Sequence, residues 1–592
     1  MTTSHKLMMT GDIHAPFGWN VASATARAAL VVGARDIGRL AKQADDGSVW
    51  ELKSVGPAVW GQWLTGAPVT DPTARAAVAE AANSKRIATV RKIRAAAAAA
   101  EVFNPVEAQP WLPPMKLEGG TTSTRANSTT YYSGAVVLNA AGTHMFMARV
   151  TGATTTAEPA AMTNPLITST PYGLAPITDG AQTWEWIGAV RTPTALAGAP
   201  SVSIGALPSQ LTKEWKFAPA SAGASAYSWF KWTGGLVATA GLAAYWQAFV
   251  RGSTRPSGKG NAQLSGNASL VNFAHCTYKT DAQIIALDLS TGAAAASVGA
   301  GTYPTGIEID GRKLFDGPAM PLVATTAPNG FVIIDMRGMG RRTHTIRISL
   351  PHGFRGDSPA FGRIFTDPIS RVWAPKNAND YTIAFVGDSI IDGSSSGPLI
   401  PGADRCKMIA DMLGCTSWFE GGDGGTGFLN TNGANKCTYI QRINDVISAA
   451  PDVVWIMGCL NDSDSNGFNS AQRVAAMTLY LQTLRTALPN AIIVMEGCNG
   501  GIAIAQNQAM EADQQAAIAA VNDPYTYWIP CSTDTPPWID GTGTLQSPST
   551  DGNSSLYIGP TDTTHPSQSG ILYLAQKDVV AFKSLINGLA NT

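Results

Sequence analysis

The stretch "YTIAFVGDSIIDGSSSG", residues 381–397, runs six mostly apolar residues straight into Gly387-Asp388-Ser389 and then into a loop of small residues. A short apolar run bounded by turn residues reads as a buried strand, which puts Ser389 at a strand's carboxyl end. The triplet alone decides nothing, because Gly356-Asp357-Ser358 repeats it. That second copy follows "HGFR" and precedes Pro359, in a loop between sandwich-type strands. Open α/β sheets bind ligands at the carboxyl ends of their strands, and only Ser389 has that context.

Working outward, "DVVWIM" and "AIIVME" read as further buried parallel strands, and "RCKMIADML", "YIQRINDVISAA", "AQRVAAMTLYLQTLRTAL" and "SGILYLAQKDVVAFKSLI" as the helices around them. Residues 376–592 are therefore expected to form an α/β domain, a parallel sheet with helices on both faces.

A serine hydroxyl is a poor nucleophile without a base in hydrogen-bond reach and a group that orients the base. Of seven histidines only His565 lies in this region, in "TDTTHPSQSG", three residues after Asp562. One loop can thus carry a base and a carboxylate that holds one ring nitrogen protonated while the other faces the serine. Acyl transfer also needs donors for the oxygen that becomes negative. Two further strand ends offer them: the glycine-rich "FEGGDGGTGF" (419–428) and "WIMGCLND" (455–462), which places Asn461 just past a strand.

Those four blocks, in that order, resemble the SGNH or GDSL-type hydrolases. The resemblance implies that Ser389 is the nucleophile, His565 the base and Asp562 its orienter. It also implies an oxyanion hole made of the backbone N–H of Ser389, the N–H of Gly425, with Gly424 the alternative, and the side-chain amide of Asn461. No metal or organic cofactor is implied. Two positions depart from the family pattern. Cys459 stands where a glycine often precedes the third-block asparagine, and Glu420 and Gly421 occupy the neighbourhood of an asparagine that often precedes the second-block glycine.

The 592 residues are too many for one core, so a multidomain chain is expected, with pieces able to fold on their own. Residues 1–65 read as a small module with a "DDGSVWELKSVGPAVW" hairpin, 66–110 as an Ala-rich helical stretch, 111–215 as a small β module, and 216–375 as an accessory, jelly-roll-like β-sandwich. Trp229, Trp232, Trp246 and Trp373 are candidates for stacking on sugars or for the sandwich core. The Ala-rich stretch carries Lys85, Arg86, Arg91, Lys92 and Arg94, read as a solvated face, and a thin stripe of Ile87, Val90 and Ala97 open to packing against other copies. A homotrimer is the corresponding expectation.

Charged residues make up 14% of the chain, with a formal net charge of −1 and 60 glycines. That composition is unlike a nucleic-acid binder and like a turn-rich β protein. No apolar run reaches membrane-spanning length, and the first twenty residues lack a signal-peptide pattern. The seven cysteines are expected to be buried free thiols. In style the front of the chain resembles bacteriophage tail fibres and tailspikes. The expected function is a virion-associated esterase, made in the host cytoplasm, that removes O-acetyl groups from a bacterial surface polysaccharide and contacts other tail or baseplate proteins through residues 1–65. Its competitors are a lipase or thioesterase of small acyl esters and a non-enzymatic adhesin.

Overall fold

The computed structural model describes residues 17–31, 40–43, 49–54, 59–64, 85–99, 124–131, 136–142, 144–148, 152–163, 177–189, 200–216, 229–234, 236–242, 245–251, 274–291, 302–303, 306–314, 320–321, 331–350, 359–376, 380–392, 402, 404–431, 436–500, 504–544, 547, 549, 551–559 and 563–589. Asp562, the second Gly-Asp-Ser copy and the Asp-Gly turn of the first hairpin lie outside the described residues.

One sheet of eleven strands crosses the boundary expected at residue 376. Its first half contains β1 (Lys231–Gly234), β2 (Ala274–Thr280), β3 (Gly306–Ile309), β4 (Arg312–Leu314) and β5 (His344–Leu350). Its second half contains β6 (Thr382–Gly387), β7 (Ser417–Gly422), β8 (Val453–Met457), β9 (Ile492–Glu496) and β10 (Thr526–Ile529). The spatial order is β4-β3-β5-β2-β1-β7-β6-β8-β9-β10, with Val372–Trp373 pairing β2 off this path. The first half is antiparallel and the second parallel. They join where β1 meets β7, Gly234 opposite Phe419.

A second sheet of seven strands, including Ile284–Thr291, Phe331–Asp335 and Pro359–Thr366, packs on the first half. Ile285, Leu287, Ile334 and Ile364 from it share a buried cluster with Tyr278, Ile307, Ile346 and Ile348, as two stacked sheets with alternating side chains do. Trp229 and Trp232 pack against that cluster, while Trp373 stays 36% exposed.

The parallel half is covered on both faces. The helices α3 (Arg405–Met412) and α7 (Gln568–Leu589) enclose one cluster with β6 and β8. On the other face α4 (Ile443–Ser448), α5 (Ser470–Ala487) and α6 (Ile504–Val521) enclose another. A one-turn helix, α2 (Ser389–Asp392), follows β6 directly.

Two expectations change. The Ala-rich helix α1, residues 85–99, spends its apolar face within the chain: Val90, Ile93 and Ala96 join the cluster beneath α3 and α7. Buried Arg86 lies over the Tyr525 ring, 3.3 Å from its centroid, and donates to the Pro489 carbonyl. Lys85, Arg91, Lys92 and Arg94 are exposed, and so is Ile87. The burial repeats at 86, 89–90, 93 and 96–97, a pattern that contains Val90 and Ala97 of the stripe read from the sequence and leaves out Ile87. The second change is that residues 216–375 and 376–592 are not separate layers. β1 meets the edge of β7 at one register pair, and charged side chains are buried or half-buried between the halves. Lys407 of α3 lies 2.7 Å from Glu308 and 2.5 Å from Asp411, while Arg347 of β5 lies 2.8 Å from Asp411 and 3.2 Å from Glu308. Asp404 caps α3 by accepting the Lys407 N–H at 2.9 Å, and its other oxygen stands 3.3 Å from His275 Nε2 of β2. His275 Nδ1 is 2.8 Å from the Ser349 hydroxyl. Burial pulls His275 below its ordinary pKa, against the opposing pull of Asp404.

A chain that starts at residue 376 loses the β1 contact at Phe419 and one partner each of Lys407 and Asp411, which keep each other, and it exposes the surface that the first half covers. It should give less soluble protein and melt at lower temperature than a chain that starts near residue 200. Equal yields and melting temperatures for the two fragments would refute the shared-sheet argument.

Candidate active site

The parallel strands end level: Gly387 is paired with both Gly422 and Met457, and Met457 with Glu496. Whatever follows each strand therefore gathers at one edge. After β6 the chain turns abruptly into α2. A side chain at Gly387 would put its Cβ 2.3 Å from Ile391 and 2.4 Å from the Met457 carbonyl, so only glycine fits this bend. Ser389 opens α2 at 7% exposure, and its hydroxyl lies 2.6 Å from His565 Nε2. His565, half-buried on the loop before α7, is thus brought to the strand end by a segment far from it in sequence.

The glycine-rich loop after β7 is tied down from several sides. Gly424 N–H donates to Asp392 Oδ2 at 2.5 Å, which removes it as a donor to anything else. Gly425 is the next N–H along the loop. Asp462, buried in the third block, accepts from the N–H groups of Phe428, Leu429 and Asn430 at 2.7, 3.1 and 2.8 Å. Burial raises this carboxyl above the ordinary range, and the three donors pull against that rise. Arg442 of the next segment donates to the Gly387 carbonyl at 2.6 Å.

Asn461 follows β8 as expected. Its side-chain N–H₂ donates to the Thr426 carbonyl at 3.0 Å and reaches Asp388 Oδ2 at 3.3 Å. An amide nitrogen has two hydrogens, and the longer of these contacts is the one that a reacting oxygen can compete for. Two residues before Asn461, Cys459 is bonded to Cys498 in a disulfide, and the other described cysteines are free and buried. The expectation of free thiols throughout fails at this pair for a topological reason. Met457 and Glu496 are register partners on β8 and β9, so residues two positions on from each meet across the strand ends. A separation of 39 residues does not reveal this.

The structure therefore brings Ser389, His565, Asn461 and the Gly424–Gly425 turn to one edge of a parallel sheet. Asp388, Asp392, Lys436 and Arg442, which hold that edge in place, carried no signal in the sequence beyond the Asp of the triplet. A serine–histidine pair beside backbone and amide donors at the carboxyl ends of parallel strands defines a hydrolytic α/β domain. The GDSL-like Lipase/Acylhydrolase family matches residues 385–570, and the C-terminal region is a GDSL-like, SGNH-type domain. No curated protein sequence matches the chain. Among solved structures it is similar to a salicylyl-acyltransferase from a tetracycline biosynthetic pathway, at 11% identity and a TM-score of 0.44, over 63% of this chain and 97% of that one. It is also similar to a family two carbohydrate esterase from Cellvibrio japonicus, at 11% identity and a TM-score of 0.38, over 64% of this chain and 99% of the other. An acetyl xylan esterase from the rumen bacterium Butyrivibrio proteoclasticus aligns at 13% identity with a TM-score of 0.39, over 64% and 99%.

Asp388 gives the site a pH signature in stability. Burial, with the Asp392 charge adding, pushes its carboxyl up to about 6 against the opposing Ile390 N–H and the His565 and Arg442 charges. The folded state then holds the proton more tightly than the unfolded chain. This contribution to stability is fully present below the ordinary value of 3.8 and is lost as pH rises through about 6. Asp388→Asn cannot titrate. Its unfolding free energy relative to wild type should therefore rise by about 2 kcal/mol between pH 4.5 and 7. Chemical denaturation of both proteins at the two pH values checks this, and a constant difference between them would refute it.

Proposed function

We propose that the chain is a serine esterase that removes O-acetyl groups from a bacterial surface polysaccharide, carried on a bacteriophage tail fibre or tailspike-like protein. The observation that carries the esterase reading is the 2.6 Å contact between Ser389 Oγ and His565 Nε2 at the carboxyl end of a central parallel strand. The tail-fibre context rests on the style of the first 375 residues, and the polymer substrate on the attachment of an extensive sandwich to the hydrolytic sheet. A single acetyl ester offers little surface to bind, so a module of this size supports recognition of the sugar chain.

In this reading His565 Nε2 takes the proton of Ser389 as Oγ attacks the acyl carbonyl. The carbonyl π electrons move to the oxygen, and the resulting oxyanion is met by the N–H groups of Ser389 and Gly425 and by the Asn461 amide. Collapse breaks the bond to the sugar oxygen, which leaves with the proton from His565. Water then attacks the acyl-enzyme, with His565 taking its proton, and acetate is released as the serine is restored. Asp562 is assigned to orient His565 from the same loop.

Two measurements test the reading. Ser389→Ala should abolish acetate release from acetylated surface polysaccharide and from 4-nitrophenyl acetate, while Ser358→Ala retains it. A serine-directed phosphonate that labels Ser358 and leaves Ser389 untouched would overturn the assignment. Asn461→Ala should lower kcat about 10²–10³-fold with the fold intact. A loss confined to KM would instead make Asn461 a substrate-positioning group.

A further inference from the structure

The Gly425 N–H is one end of the Gly424–Gly425 peptide, and the Gly424 carbonyl is the other. In a trans peptide these two groups point in opposite directions, so fixing one aims the other. The peptide sits at the centre of a four-residue turn, closed by the Thr426 N–H donating to the Asp423 carbonyl at 3.2 Å. Gly425 has φ +77°, the value of the third residue of a type II turn, whereas a type I turn has φ near −90° there. The two turn types differ by a flip of the central peptide. With glycine at both central positions neither side chain resists that flip. A flip would turn the Gly425 N–H away from where it now points.

Lys436 stands at the other end of this peptide. Its ammonium donates to the Gly424 carbonyl oxygen, and its side chain is only 12% exposed. We propose that Lys436 is a positioning residue for the oxyanion hole: by holding the Gly424 carbonyl it fixes the central peptide in the orientation that presents the Gly425 N–H to the reacting acyl oxygen. A cation on the carbonyl also polarises the peptide, which strengthens its N–H as a donor. Asp392 restrains the preceding peptide through the Gly424 N–H, so the turn is held from both sides of Gly424. The inference rests on the esterase reading above.

A purely structural role for Lys436 would be to neutralise Asp423, whose Oδ1 lies 3.6 Å from it. Asp423 keeps a second cation without it, since Arg442 lies 3.4 Å from Oδ2. Loss of Lys436 therefore frees the peptide without stranding a buried carboxylate.

The test uses the full chain and 4-nitrophenyl acetate. Lys436→Met should lower kcat about 10–100-fold, less than deleting a donor outright because the flipped and unflipped peptides both remain populated. KM and melting temperature should stay near wild type, Lys436→Arg should recover most of kcat, and phosphonylation of Ser389 should slow in parallel with kcat. Should Lys436→Met fail to fold, Lys436→Gln, which keeps an uncharged donor, carries the same comparison. Wild-type kcat in Lys436→Met, a loss that lies in KM alone, or a loss that Lys436→Arg does not relieve would overturn the inference while wild type still turns over ester. Wild-type protein that hydrolyses no ester would overturn the esterase reading, and this inference with it.

Discussion

Parallel hydrogen bonding in level register, Gly422 to Gly387 to Met457 to Glu496 to Ile529, is the constraint on which the C-terminal region depends. Helices cover both faces of these strands, so nearly every strand residue is apolar and buried. Polar chemistry emerges past the strand ends, and the serine–histidine pair is gathered at the carboxyl ends. A slip of one residue along a strand moves its end by about 3.3 Å. That is enough to take Asn461 away from Thr426, or Asp462 away from the three backbone N–H groups it gathers. The site is thus a consequence of register before it is a matter of side chains.

The other half of the same sheet protects that register. β7 leads into the glycine turn, and β1 meets its outer edge at Phe419. The charges of buried Lys407 and Glu308 and half-buried Arg347 and Asp411 add little net stability, because desolvation offsets most of their attraction. Two cations from opposite halves share two carboxylates from opposite halves, which ties α3 to β3 and β5 in this alignment. The sandwich is thus joined to the hydrolytic half through β1 and α3.

Much of the hydrolytic half was legible because its signals are local. The apolar runs at 381–386, 452–457 and 491–496 became β6, β8 and β9, and the helical patterns became α3, α5 and α7 within a residue or two, except that α7 extends three residues further. The helix at 504–521 and the strand at 526–529 went unread, the first because its sequence is rich in Gln and Ala with a weak apolar stripe, the second because it is four residues long. The features that escaped altogether are contacts between distant segments. Lys436 meets a carbonyl twelve residues away across a loop, Arg442 meets Gly387, β1 meets β7 across 185 residues, and Cys459 meets Cys498 only through strand register. Such pairings have no periodicity, so composition and spacing carry no trace of them. The Ala-rich helix shows the opposite failure: its period was visible, but Arg86 counted as a surface charge until Tyr525 and the Pro489 carbonyl supplied partners.

Among the described residues two serine–histidine contacts have similar lengths, and comparing them shows what separates a site from a strut. Ser349 lies 2.8 Å from His275, which in turn lies 3.3 Å from Asp404, so the residue types of a catalytic triad are all present. Yet the ring is turned the wrong way round, with Nδ1 toward the serine and Nε2 toward the carboxylate. All three side chains are sealed between the sheet halves, at 0%, 0% and 1% exposure. Buried Ser349 is closed to an ester, and Trp418 packs against the His275 ring, 5.4 Å between centroids. Ser389 as a residue keeps 7% exposure, Nε2 faces its hydroxyl, and a glycine turn and an amide stand at the same strand ends. Residue identity and distance are shared by the two clusters. Access and ring orientation are not, and those are properties of where the parallel strands end.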